Sequence, residues 1–184
     1  MELLTDGIPS AIGTIVIAAR AGRLCAVDYE DCGDRMRAHL ASRYPSFQLV
    51  ACTDPYGFSG ALRAYLGGDL HAIDELPVET GGTPFQEAVW GALRRIPPGQ
   101  TVTYAGLARD VGRPAAVRAA GVANARNPLA IVVPCHRVIG RSGSLTGYAG
   151  GLSRKRWLLA HEGALPSALR VEAPIRSCSR PGGR

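Results

Sequence analysis

The sequence predicts an α+β protein of two lobes, a small sheet-and-helix lobe followed by a mainly helical one. Three observations predict it. Two β-like apolar runs joined by a turn signal occupy residues 12–29. Helical spacing with capping residues takes over from Thr83 onward. Between them, residues 69–82 contain Pro77 and end on Gly81-Gly82, as an extended linker does. The expected divisions are therefore 1–82 for the first lobe with its linker, 83–163 for the second, and 164–184 for a tail. That tail is rich in Pro, Ser, Arg and Gly and is expected to be disordered.

The first lobe opens with strands at 12–19 and 24–29, and Arg20-Ala21-Gly22-Arg23 makes the hairpin turn between them. Residues 34–44 have helical spacing, with Met36, Leu40 and Tyr44 on one face, and stop before Pro45. A second helix over 59–66 ends at Gly67-Gly68. The second lobe starts at Thr83-Pro84-Phe85-Gln86, which fits an N-cap, a proline in the first helical position and a capping-box glutamine. That helix should bury Phe85, Val89, Leu93 and Ile96 and end at Pro97-Pro98-Gly99. Thr103 caps a short helix over 104–111, closed by Gly112, and a second helix runs from Pro114 to about Asn124. Two short helices across a tight glycine turn make a helix-turn-helix candidate. The second of them is built of small residues, with Arg118 the one long side chain at its centre. An apolar run then reads as a strand leading to Cys135, and residues 141–151 form a glycine-rich loop. Ser153 should cap a last helix with Trp157, Leu158 and Leu159 inward and Arg154, Lys155 and Arg156 largely outward.

Charge divides as the lobes do. Residues 1–83 carry 6 Arg against 11 Asp and Glu, a net of −5, whereas residues 84–184 carry 15 Lys and Arg against 4, a net of +11. A cationic second lobe favours a polyanionic partner, because Arg and Lys on phosphates release condensed counterions. The apolar runs are too short to span a membrane, and the start Met1-Glu2-Leu3-Leu4 is no secretory signal. Five irregularly spaced cysteines form no disulfide framework, so reduced thiols and a cytoplasmic location are expected. Cys25, Cys32, His39 and Cys52 lack the paired spacing of a structural zinc site; neither a metal nor a cofactor is expected.

The chemistry concentrates at Val133-Pro134-Cys135-His136-Arg137-Val138-Ile139-Gly140. A thiol becomes a strong nucleophile only as the thiolate, so it needs an adjacent base or a positive field. His136 supplies the base and Glu162 an acid to orient it, a set that would also serve a cysteine hydrolase. A hydrolase leaves the helix-turn-helix and the basic lobe without a use, and no oxyanion-hole signature accompanies the thiol.

Taken in order, Thr83-Pro84-Phe85-Gln86, Val89-Trp90, Val102-Thr103-Tyr104, residues 116–121, Asn127-Pro128, the Pro134-Cys135-His136-Arg137-Val138 element, Gly147-Tyr148-Ala149-Gly150-Gly151 and Trp157-Leu158-Leu159 with Glu162 resemble the O6-alkylguanine-DNA alkyltransferases, or methylated-DNA–protein-cysteine methyltransferases. The resemblance covers 83–163, and residues 10–68 fit the family's ribonuclease-H-like first lobe more weakly. It implies a winged-helix-like second lobe and a direct-reversal DNA repair protein. Such a protein binds duplex DNA through the minor groove, flips an O6-alkylguanine (or O4-alkylthymine) out of the stack, and transfers the alkyl group irreversibly to its own cysteine. Carried over residue by residue, Cys135 is the acceptor, His136 the base acting through water, Glu162 its orienter, Tyr104 the donor to guanine N3, and Asn127 the support of the active-site turn. Arg118 is the finger that enters the stack, with Val117, Ala119, Gly121 and Thr103 beside DNA. Val138, Tyr148, Ala149, Gly150 and Trp90 line the base pocket, the backbone carbonyls of Cys135 and Val138 reading the exocyclic amine. Ala149 stands where some relatives have serine. A monomer is implied, with cooperative binding on DNA left open. The alternative within this resemblance is a non-catalytic lesion-binding alkyltransferase-like protein; those lack the acceptor cysteine.

Overall fold

The computed structural model describes residues 1–165; the tail expected to be disordered lies, from residue 166 on, outside the described residues. Secondary structure is mixed α+β. Two compact units form: Met1–Gly81 together with Pro128–Val132, and Gly82–Asn127 together with the described residues from Val133 onward. Residues 128–132, expected in the second lobe, thus pack with the first.

In the first unit β1 (Glu2–Ile8), β2 (Ile15–Arg20), β3 (Arg23–Tyr29) and β4 (Gln48–Ala51) form one sheet in the order β3-β2-β1-β4. The hairpin between β2 and β3 turns on Ala21 and Gly22, both at positive φ (46° and 71°), as the right-handed strand twist demands of a two-residue turn. β1 and β4 run parallel, so the sheet is mixed rather than wholly antiparallel. Neither β1 nor β4 is evident from pattern alone. β1 carries Asp6 and Gly7, residues that strands disfavour. Asp6 is accommodated because its carboxylate accepts from Ser59 Oγ (2.6 Å) and from the Asp54 N–H (3.0 Å). The Ser59 hydrogen bond leads in lowering its pKa. β4 is a half-buried four-residue edge strand with no alternation to read.

α1 (Gly33–Arg43) lays Met36 and Leu40 on Leu3, Ala18, Cys25 and Ala26, and Tyr44 completes that cluster. α2 (Phe58–Leu66) buries Phe58, Leu62 and Tyr65. The expected linker is not a free connector. Leu24 N–H donates to Pro77 O (2.9 Å) and Glu79 N–H to Leu24 O (2.8 Å), while Glu79 Oε1 accepts from Tyr44 Oη (2.6 Å) and Arg43 Nη2 (2.9 Å). Residues 128–130 cover β3 in the same way, through Val27 N–H to Pro128 O and Ala130 N–H to Val27 O. The outer edge of β3 is therefore paired by two short segments instead of standing open.

The second unit contains α3 (Pro84–Arg94), β5 (Val102–Thr103), α4 (Tyr104–Asp110), α5 (Val117–Ala125), β6 (Val138–Ile139) and α6 (Leu152–His161). The Thr83–Gln86 capping box forms as expected. α3 buries Val89, Trp90, Ala92 and Leu93, and Phe85 is only half-buried. Thr103 Oγ1 caps α4 through the Gly106 N–H (3.1 Å). α5 begins at Val117, not Pro114, which sets Arg118 in its first turn instead of at its centre. Gly151, not Ser153, precedes α6 as its N-cap. Among the described residues no helix is long and apolar enough to cross a membrane.

Candidate active site

Cys135 sits at the end of a run of tight turns. Residues 131–133, expected as a strand, take no strand form. Ile131 has φ 73°, and the Val132 N–H bonds back to Ala130 O (2.9 Å), a γ-turn conformation that is costly for a β-branched residue. Pro134 (φ −80°, ψ 62°) makes an inverse γ-turn, with the Cys135 N–H on Val133 O (2.8 Å). Asn127 Nδ2 donates to that same Val133 carbonyl at 2.7 Å. A single 3-10 turn, Cys135–Arg137, follows and passes directly into β6. β6 pairs in parallel with β5, Val102 against Val138 and Thr103 against Ile139. This two-residue ladder brings Tyr104, the first residue of α4, to the element that carries the thiol.

Cys135 is 6% exposed, and both its neighbour in sequence, His136, and the distant Glu162 are buried. His136 Nε2 lies 2.9 Å from Glu162 Oε1. A proton on Nε2 donated to the carboxylate leaves the lone pair on Nδ1, and Nδ1 is buried with no hydrogen-bond partner among the described residues. Burial pushes the imidazole pKa below its usual 6.5, with Glu162 pulling partly back, so the ring is neutral at pH 7. Burial alone would raise the Glu162 carboxyl. His136 and Arg137 overcome it and hold the group well below the usual carboxylate range. Arg137 grips Glu162 bidentately, Nε on Oε2 at 2.9 Å and Nη2 on Oε1 at 2.7 Å, and its Nη1 donates to Ile96 O at the end of α3.

Two cations were misjudged from sequence. Arg154 and Lys155, expected to face solvent, are 2% and 0% exposed. Arg154 Nη1 donates to Gly150 O (3.0 Å). Lys155 Nζ donates to Val138 O, to Thr146 O (2.7 Å) and to Gly147 O (3.4 Å), tying the glycine-rich loop to β6. Burial lowers its pKa to about 8. Tyr104 Oη reaches the same Thr146 and Gly147 carbonyls, each at a long 3.4 Å. Burial raises the phenol pKa, which keeps it a protonated donor with only weak partners to give up. Tyr148 stands edge-on to the His136 ring at 6.5 Å, and Ala149 beside it is exposed. Trp90 sits elsewhere than expected: its indole N–H donates to Ala123 O (2.9 Å) in the packing of α3 on α5, a core position. Among the described residues no three His, Cys, Asp or Glu side chains gather as a metal site.

A family model described as "6-O-methylguanine DNA methyltransferase, DNA binding domain" matches residues 84–164. A methylated-DNA–protein-cysteine methyltransferase of Shigella flexneri is 50% identical over 168 residues, which span 90% of this chain and 98% of the relative. The chain belongs to the 6-O-methylguanine DNA methyltransferase family. Solved members share its fold. The Mycobacterium tuberculosis OGT in complex with DNA superposes with TM-score 0.72 at 36% identity, over 89% of this chain and 94% of that one. The O6-methylguanine-DNA methyltransferase of Pyrococcus kodakaraensis KOD1 gives 0.70 at 29%, over 88% and 99%.

In this methyltransferase-family chain the DNA-side candidates collect on α4 and α5. Val117, Arg118 and Ala119 are exposed on the first turn of α5, and Thr103 precedes α4. A Cβ on Gly121 would meet the Tyr104 ring at 3.6 Å, so the α5 backbone at Gly121 packs against Tyr104. An open groove of about 600 Å³ runs between the start of α3 and the outer face of α5, with Phe85, Ala119 and Val122 along it and Arg118 and Arg126 on its rim. Arg137 and Lys155 are the residues that sequence reasoning passed over. Arg137 is signalled by its place in the Cys135 motif; nothing in the Arg154-Lys155-Arg156 run signals burial.

Proposed function

We propose that this chain repairs alkylated DNA by moving the alkyl group onto Cys135. The observation that carries this is the buried thiol beside an imidazole whose Nδ1 is left open while Nε2 is fixed by Glu162. Nδ1, relayed through water, takes the thiol proton. The thiolate attacks the alkyl carbon of O6-alkylguanine; the C–S bond forms, the C–O6 bond breaks, and the electron pair stays on the base. Tyr104, donating to N3, makes the base a better leaving group. Nothing returns the thioether to the thiol, so each molecule acts once.

DNA is the partner, supported by the matched DNA-binding domain, by the related structure solved with DNA, and by the cationic excess of residues 84–184. The small residues about Arg118 on α5 fit a minor groove only about 6 Å wide, with Arg118 filling the space left by the flipped base. The α4–α5 pair with the β5–β6 ladder supports the helix-turn-helix, winged-helix-like reading, and the β3-β2-β1-β4 order supports the ribonuclease-H-like one. The protein acts as a monomer in the cytoplasm; the odd cysteine count, with no disulfide among the described residues, fits a reducing compartment. Incubation with duplex DNA bearing labelled O6-methylguanine should place label on Cys135 at one per molecule, and Cys135→Ser should abolish transfer while retaining lesion binding. Multiple turnover, or label absent from the protein, would overturn the proposal.

A further inference from the structure

Among the described residues two buried side-chain atoms lack a hydrogen-bond partner, His136 Nδ1 and Asn124 Oδ1. Buried polar atoms are nearly always paired, so an orphan in a native fold calls for a reason. The first belongs to the proton relay. The second has no such role, although Asn124 is only 3% exposed.

Its position on α5 is informative. Gly121 lies under the Tyr104 ring, and Asn124 follows it by three residues on the same face of the helix. Asn127, three further on, holds the Val133 carbonyl two residues before Cys135. Helical side chains lean toward the helix N-terminus, so Asn124 is directed back toward the turn whose Gly121 backs the Tyr104 ring. Asn124 thus falls, along the chain, between the residue that backs Tyr104 and the residue that holds the turn before Cys135.

We infer that Asn124 Oδ1 is a specificity-determining acceptor for the flipped base, taking a hydrogen bond from the exocyclic amine of O6-alkylguanine. This rests on the repair function proposed above. Alkylation at O6 removes the N1 proton, and N3 and N7 carry lone pairs, so the 2-amino group is the one N–H donor on the base. An orphaned acceptor and a substrate with a single donor group are matched. The amine has two hydrogens, and both backbone acceptors that the family resemblance implies already have a donor: Cys135 O accepts from the Val138 N–H and Val138 O from Lys155 Nζ. An O4-alkylthymine has no N–H donor and leaves Asn124 unpaired, which sets the preference toward guanine.

The test compares single-turnover methyl transfer from duplexes containing O6-methylguanine or O6-methylhypoxanthine, which lacks only the 2-amino group. Asn124→Ala should slow the first about tenfold, the size of one lost hydrogen bond to a buried partner, and the second less than twofold. Asn124→Leu, of similar volume, gives the same readout should the alanine variant fold poorly. Equal slowing on both lesions, in a variant that melts with the wild type, overturns the inference, as does no slowing on either. Wild-type protein that takes methyl from neither lesion overturns the repair function itself, and this inference with it.

Discussion

Glu162 accepts one N–H from His136 and two from Arg137 with its own side chain buried, and the carboxylate is therefore held as the anion. Glu162→Gln keeps the shape but leaves the Arg137 guanidinium buried without a countercharge. That should cost about 3 kcal/mol or more of stability, read by urea unfolding, along with most of the transfer rate. The pH dependence follows from two depressed pKa values. His136 sits below 6.5 in the fold, so as pH falls through 6.5 the unfolded chain binds the proton first and stability drops; Glu162 adds a further loss as pH falls through 4.5. The unfolding midpoint should fall between pH 7 and pH 5, and fall less in His136→Asn. A flat wild-type profile would show that the imidazole is not held neutral by burial. Lys155 acts with the same sign in a higher window: its folded value near 8 lies below its usual 10.5, so this group's contribution to stability rises between pH 8 and 10.5. Cys135, His136 and Glu162 are legible in sequence because a thiol, a base and an acid announce their chemistry. The buried state of Lys155 is not, since a lysine inside Arg154-Lys155-Arg156 looks like any solvated face and its carbonyl partners lie in a loop without periodicity.

Elements matter here chiefly by where they stop. The Pro97-Pro98-Gly99 stop ends α3 and turns with the Gln100 N–H on Pro97 O; Gly99 takes φ 79°, and a Cβ there would stand 3.1 Å from Glu162 O. Gly99→Ala is therefore expected to cost about 1–2 kcal/mol for the left-handed backbone and more for the push on Glu162. Its melting temperature should drop alongside its transfer rate, whereas Gly112→Ala, also at positive φ but with open space around it, should lose stability alone. α5 carries a separate expectation. Arg118→Ala should slow repair in duplex DNA far more than reaction with free O6-benzylguanine, because a free base needs no flipping; equal losses would give Arg118 another role. Capped helices were readable: the Thr83 and Thr103 caps appear where the sequence puts them. Two of the misses share one cause. In 131–133 and in β1, backbone pairing and tight turns outweigh side-chain pattern, so an apolar run becomes a γ-turn and a run with Asp6 and Gly7 becomes a strand.

At the scale of the whole molecule, the described cations of the second unit include a buried set and an exposed set, with Arg94 half-buried between them. Arg137, Arg154 and Lys155 are enclosed and spend their donors on Glu162 and on backbone carbonyls of the site. Among the described residues, Arg95, Arg109, Arg113, Arg118, Arg126, Arg141 and Arg156 are exposed in the second unit, where they can meet phosphates. The charge split of the sequence thus identified the lobe that binds a polyanion but could not say which cations do so. If four of the seven reach phosphates, the logarithm of affinity should fall with the logarithm of salt at a slope of about −3.6, roughly two orders of magnitude for a fourfold rise in salt. Arg126→Ala, at the rim of the α5 groove, should flatten that slope by about one and leave reaction with the free base unchanged. Arg37→Ala, exposed in the acidic first unit, should leave the slope as it is. Fluorescence anisotropy on a short duplex from 50 to 200 mM salt measures all three. A wild-type slope near zero would mean that the exposed arginines do not touch the backbone, and binding would then have to come from the small apolar face of α5 alone.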